Sequence, residues 1–148
     1  MVDLAALTDR IGETIGTGEW LRVDQDRVDA FADTTLDHQW IHQAGPLADG
    51  GPFGGPIVHG FLTLSLLWHL TGSTPSVIED AAMVINYGLD KVRFITPVPV
   101  GSRLRASVVL KDVTPVDGGV QLVNAVTIEL EGAERPAAYV EAVTRVFG

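Results

Sequence analysis

The chain contains no cysteine. Disulfides, thiolate nucleophiles and cysteine-ligated metals are therefore excluded. It is also poor in positive charge: 10 Lys and Arg stand against 19 Asp and Glu, a net charge of −9. Nucleic acid is not expected as a main partner, because phosphate binding wants a basic face. Long hydrophobic runs are missing too. The longest apolar stretch, 57–70, is interrupted by two His, a Gly, a Thr and a Ser, too short and too polar to span a bilayer. Residues 1–11 have no basic segment leading into an apolar run, so no signal peptide is expected and the cytoplasm is the default location. The chain has no internal repeat, linker or low-complexity tail.

What is present fits one domain over 1–148, large enough for a real core. Hydrophobic content is 46% and mean hydropathy +0.24. Such a surplus is also compatible with a face covered by a second copy of the chain. An anionic ligand would need a local cluster of cations to offset the global field. Arg22, Lys91, Arg93, Arg103 and Arg105 are the candidates, and each alone reads as a solvated strand charge.

The first dozen residues carry Leu4, Leu7 and Ile11 at helical spacing. Gly16 and Gly18 are expected to break the chain, and 19–23 to form a short strand anchored by Trp20. Asp24 is a suitable N-cap for a helix bearing Val28 and Phe31 and ending near Thr34. Residues 45–56 form a loop without periodicity, and 57–70 a helix apolar nearly all round, capped by Gly72. From Met83 onward the pattern is strands: 103–113, 120–130 and 137–147, with Asp117-Gly118-Gly119 and Glu131-Gly132 as turns. A buried helix followed by consecutive hairpins predicts an α+β fold, a curved antiparallel sheet wrapped around that helix.

Chemistry is concentrated between His38 and His69, which hold all four histidines and six of the sixteen glycines. Asp37 and His42 lie five apart. On an ideal helix they would point about 140° apart, so they converge only across a turn. Converged, a carboxylate and an imidazole of ordinary pKa about 6.5 can hold and activate a water. The ordinary alternative is an Asp cap beside a surface His, and spacing leaves both open. His38 and His42 share the i, i+4 spacing of zinc ligands, but Gln39 stands where a zinc protease has Glu, and no third ligand follows at a familiar interval. Gly60 inside a helix suggests close approach to its backbone, by a ligand or by a packed strand. First-turn N–H groups of that helix can polarise a carbonyl oxygen. Ser65, one turn on, is a weak nucleophile candidate whose hydroxyl suits either the preceding turn or a polar neighbour. His59 and His69 read as packing or polar residues without an assigned role, and Trp40 and Trp68 as core or interface aromatics.

Asp37-His38-Gln39-Trp40-Ile41-His42, then Gly55-Pro56-Ile57-Val58-His59-Gly60-Phe61-Leu62-Thr63-Leu64-Ser65, resembles the MaoC-like (hydratase 2) family. Val92-Arg93-Phe94-Ile95-Thr96-Pro97-Val98 and Gly101 are similar to its strand motif, and three motifs occur in order from about Phe31 to the C-terminus. Gln39 and Trp40 replace the common Asn and Pro, which resembles the nodulation-protein-N-like branch. The resemblance implies a hot-dog fold with 57–70 as the central helix, a homodimer, and an (R)-specific enoyl-CoA hydratase. That enzyme reversibly hydrates a trans-2-enoyl thioester, on CoA or acyl-carrier protein, to the (3R)-hydroxyacyl thioester. Asp37 and His42 would activate the water and return a proton to the α-carbon. The Gly60 N–H, with Ser65 nearby, would serve the thioester oxygen, provided the helix begins late enough to leave that N–H unpaired. No metal or redox cofactor is implied. A hot-dog thioesterase and a non-catalytic acyl-thioester binding subunit are the alternatives.

Overall fold

The computed structural model describes residues 4–72, 78 and 81–148. Its elements run α1 (Leu4–Thr8), β1 (Thr14–Thr17), β2 (Leu21–Arg22), α2 (Gln25–Thr35), a 3-10 turn (Trp40–His42), α3 (Pro46–Asp49), α4 (Gly60–Ser65), α5 (Leu67–Gly72), β3 (Met83–Phe94), β4 (Arg103–Val116), β5 (Gly119–Leu130) and β6 (Ala138–Phe147). The sheet is six-stranded and antiparallel in the order β1-β4-β5-β6-β3, with β2 also pairing to β4. This is the α+β hot-dog arrangement expected from the sequence.

Alternation builds the sheet. Leu104, Ala106, Val108 and Leu110 of β4 are buried, as are Leu122, Val126, Ile128 and Leu130 of β5, so one face of each strand makes the core. The turn between them needs only Asp117 and Gly118, with Gly118 at φ +73°, where glycine has no Cβ to clash. Against that face lie Leu62, Leu66 and Leu70, four residues apart along α4 and α5. Each fully buried leucine contributes roughly 1.5–3 kcal/mol.

Three expectations need correction. The central helix does not run over 57–70: it starts at Gly60 and is interrupted at Leu66. Ile57 and Val58 are held as extended chain, their N–H groups donating to the Ile41 and Val98 carbonyls at 2.9 and 2.8 Å. Both are β-branched and lie beside the sheet, where such side chains pack well. Pro56 is therefore not the first helical residue. Second, Gly16 does not break the chain but sits within β1, at a bulge opposite β4; a strand glycine often marks a bulge. Third, the strand expected over 19–23 shrinks to β2, with Trp20 stacked on the Arg105 guanidinium at 4.4 Å. The capping expected of Gly72 depends on 73–77, which lie outside the described residues.

Strand β3 forms one edge of the sheet. Met83, Val84, Ile85, Tyr87, Leu89 and Phe94 along it are all exposed. Among the described residues no helix is long and apolar enough to cross a membrane.

Candidate active site

Helix α2 delivers the carboxylate. Asp24 caps its start, accepting the Arg27 N–H at 3.0 Å. Its end is a left-handed turn at Leu36 (φ 63°), the one non-glycine with positive φ among the described residues. That conformation is costly for a residue with a Cβ, and it swings the chain sharply out of the helix. Asp37 follows at once, half-exposed, with its carboxylate accepting the Gln39 N–H at 3.4 Å.

The 3-10 turn then brings His42 back beside it, which resolves the geometry the sequence left open. His42 is buried at 6% exposure. Gln25 from α2 ties the turn down, donating its side-chain amide to the His42 carbonyl at 2.9 Å. The His42 Nδ1 lies 2.7 Å from the Ile57 carbonyl oxygen. A carbonyl only accepts, so Nδ1 carries the proton and the neutral ring keeps its lone pair on Nε2. Burial pushes the His42 pKa below the ordinary imidazole value, the Ile57 carbonyl opposes this, His59 adds to the depression and Asp37 opposes it.

A third residue belongs to the site. His59, given no role by its sequence context, is 2% exposed and stacks on His42 with ring centroids 3.7 Å apart. Its Nε2 donates to the Asp37 backbone carbonyl at 3.1 Å and lies 4.0 Å from the carboxylate. Phe31 of α2 closes the other side at 4.9 Å. The His59 Nδ1 is buried with no hydrogen-bond partner among the described residues. Leaving such an atom unpaired costs about 1–3 kcal/mol, a price expected at a working site more than in inert core. The only advance signal of His59 was its place directly before Gly60.

Asp37, His42 and His59 each offer an oxygen or nitrogen within 4.8 Å of the others, a grouping that could suggest a metal. The hydrogen bonds argue otherwise. His59 Nε2, facing Asp37, is protonated to serve the Asp37 carbonyl. On the face toward Asp37, the carboxylate and one ring nitrogen of His42 are left as electron-pair donors, fewer than a protein zinc site uses. His38 does not join them: it is half-exposed and lies 3.6 Å from Asp33.

Gly60 opens α4. The first helical bond runs from the Thr63 N–H to the His59 carbonyl at 3.1 Å, so the Gly60 N–H precedes the ladder. The Pro56 carbonyl is taken by the Val100 N–H at 3.0 Å, not by Gly60. A Cβ on Gly60 would meet the Phe94 ring at 3.2 Å, so a side chain of β3 packs closely there. Ser65 is directed elsewhere, its hydroxyl donating to the Phe61 carbonyl at 2.6 Å. The loop after His42 wraps Trp40, whose ring leaves only 3.0 Å for a Cβ at Gly51.

A cavity of about 600 Å³ lies between the helices and the sheet, walled by Leu64, Ser65 and Trp68 on one side and Asn124, Val126 and Ala142 on the other. Its wall includes none of Asp37, His42, His59 or Gly60; it begins one turn beyond Gly60, on the same helix. Of the five cations considered for an anionic ligand, Arg103 pairs with Glu131 and Arg105 with Glu129. Arg22 is spent on the Gly101 carbonyl at 2.6 Å.

The MaoC-like domain model matches residues 6–132. The chain is 45% identical over 146 residues to 3-hydroxyacyl-thioester dehydratase Z of Mycobacterium tuberculosis, covering 98% of this chain and 94% of that protein. It is 47% identical over 139 residues to nodulation protein N of Rhizobium leguminosarum bv. viciae, covering 92% and 86%. Its structure is similar to that of the (R)-hydratase from A. caviae involved in PHA biosynthesis, with TM-score 0.72, 26% identity, and 89% and 95% of the two chains covered. The sheet order, the central helix and the Asp37–His42 turn thus meet in a chain that belongs to the MaoC-like dehydratase family.

Proposed function

We propose that this protein is an (R)-specific enoyl-CoA hydratase, adding water reversibly to a trans-2-enoyl thioester to give the (3R)-3-hydroxyacyl thioester. Hydro-lyase is the enzyme class, since dehydratase and hydratase name two directions of one reaction and both names occur among its relatives. The observation that carries the reading is the His42 tautomer: with Nδ1–H committed to the Ile57 carbonyl, Nε2 is the basic nitrogen of a ring that sets one nitrogen within 4.8 Å of ligand atoms of Asp37 and His59. A water bridging two acceptors at hydrogen-bond distance fits that separation.

In this reading His42 Nε2 takes a proton as the water oxygen bonds to the β-carbon. The electron pair of the C=C bond moves toward the thioester, whose oxygen gains negative charge beside the Gly60 N–H. The proton on Nε2 then passes to the α-carbon, so one H and one OH have been added and His42 is neutral again. The Asp37 carboxylate orients the water and stabilises the transient imidazolium. Desolvation supports the role, because it keeps His42 unprotonated near neutral pH. Ser65 serves substrate binding only as part of the cavity wall. The cavity has the size and lining of a small-ligand site, and an acyl chain directed along α4 from Gly60 would enter it. The thioester is carried by CoA or an acyl-carrier protein, the active unit is a homodimer covering the apolar β3 edge, and the protein works in the cytoplasm.

The test is to incubate the protein with crotonyl-CoA and follow the enoyl absorbance. Loss of absorbance is expected, with Asp37→Asn and His42→Ala each slower by about 10²–10⁴-fold. Near-wild-type kcat in either variant would remove that residue from the chemistry. Release of free thiol would identify a thioesterase, and tight acyl-CoA binding without turnover a binding subunit.

A further inference from the structure

We infer that His59 is a positioning residue that sets the acid–base pair and the start of the central helix from one side chain and one carbonyl; this rests on the hydratase reading above. Three contacts carry it. The His59 Nε2–H holds the Asp37 backbone carbonyl at 3.1 Å, which fixes the chain at the base of the carboxylate. The His59 ring lies against His42 with centroids 3.7 Å apart and planes 24° from parallel, which fixes the plane in which the His42 Nε2 lone pair points. The His59 carbonyl accepts the first bond of α4, from the Thr63 N–H, so the same residue decides that the Gly60 N–H lies outside the ladder.

His59 does not itself reach the reacting atoms. Its Nε2 is spent on Asp37, and its Nδ1 is sealed from solvent. A buried ring held only for volume would need neither nitrogen. Here one nitrogen is matched to a main-chain acceptor and the other has no partner among the described residues, which an apolar side chain of similar shape would avoid. What the imidazole supplies over a hydrocarbon ring is therefore the single donor to Asp37. Positional errors of about 1 Å in a reacting group cost on the order of 10²-fold in rate, so a residue that acts only by placement can have a large effect on turnover.

Two substitutions separate the donor from the ring. His59→Phe keeps an aromatic face against His42 and removes the donor. His59→Gln places an amide N–H near the position of Nε2 and removes the ring. Both would be checked for folding by circular dichroism and thermal melting, then assayed on crotonyl-CoA beside the wild type. His59→Phe is expected to lose at least tenfold in kcat with KM within about twofold, and His59→Gln to recover most of that loss. A folded His59→Phe within about threefold of wild-type kcat would overturn the inference and leave His59 as packing. So would a folded His59→Gln no better than His59→Phe. If His59→Phe fails to fold, His59→Gln decides alone: kcat within about fivefold of wild type supports the donor role, and a larger loss in a folded protein refutes it. Inactive wild type on every enoyl thioester would instead refute the hydratase reading. In that event, ¹⁵N NMR of the imidazoles would still report whether His59→Gln, which removes the stacked ring, alters the His42 ring environment; unchanged His42 signals would refute positioning of that ring.

Discussion

Gly60→Ala separates two reasons for a glycine at the head of the central helix. The added methyl points at the Phe94 ring, 3.2 Å from the ideal Cβ position. Alanine in place of glycine favours the folded helix by up to about 1 kcal/mol. Overpacking opposes this and typically costs about 1–3 kcal/mol. The low end applies, because Phe94 is 48% exposed and its ring can tilt outward. The melting temperature is therefore expected to stay within a few degrees of wild type. The effect on activity should be much larger. If the methyl keeps the thioester oxygen from the Gly60 N–H, the loss approaches that of a missing oxyanion donor, about 2.7–4 kcal/mol or 10²–10³ in rate. Even partial obstruction should lower kcat/KM at least tenfold on crotonyl-CoA. The double variant Gly60→Ala/Phe94→Leu makes room for the methyl without removing it. It should regain any lost stability but not activity. Recovery of activity in the double variant would trace the loss to a displaced Phe94. A destabilised single variant with normal specific activity would assign Gly60 to strand packing, and the oxyanion role would fall.

Stability should depend on pH through His42. Its pKa in the folded protein lies below the unfolded value of 6.5, chiefly through burial, so the unfolded chain binds more protons just below 6.5. Stability should therefore rise with pH up to about 6.5 and then level, a slope that His42→Gln should weaken; an unchanged slope would exclude His42 as its source. The acid limb of kcat/KM should likewise fall below 6.5. Light scattering at micromolar concentration should give a mass of twice 15.8 kDa or an even multiple, because among the described residues β3 is an apolar edge with no strand on its outer side. Ile85→Glu on that edge should shift the mass toward the monomer, and a monomeric wild type would refute the assembly. Activity should survive exhaustive chelation, since His59 Nε2 is committed as a donor; loss on EDTA with recovery on zinc would revive the metal reading.

Periodicity made most of the scaffold legible. The alternation in β4 and β5, the Gly118 turn and the Asp24 cap are local signals, and local signals survive folding. The helix start was less visible. An apolar run from Ile57 reads as helix, yet the Ile57 and Val58 N–H groups are claimed by Ile41 and Val98, partners distant in sequence. β1 was hidden for the same reason: Gly16 is a breaker by propensity and a bulge residue once β4 is beside it. At the site, type and spacing single out Asp37 and His42 only as candidates, and the family resemblance supplies their roles. Their convergence depends on a left-handed Leu36, which no propensity suggests. His59 is not distinguished by sequence, because a lone histidine on an apolar segment is ordinary unless another ring is stacked on it.

The acceptor that fixes the His42 tautomer is the main-chain carbonyl of Ile57, held in place by the pairing of Ile57 with Pro99. No side chain supplies this proton bookkeeping, so no single substitution at position 57 deletes it. The basicity of the site and the shape of the nearby walls are therefore inherited separately. On the proposed reading, Leu64, Trp68 or Val126 would change size, and the accepted acyl group with them, while His42 keeps its lone pair on the same nitrogen. A scaffold of this kind can diversify its substrates without re-evolving its base.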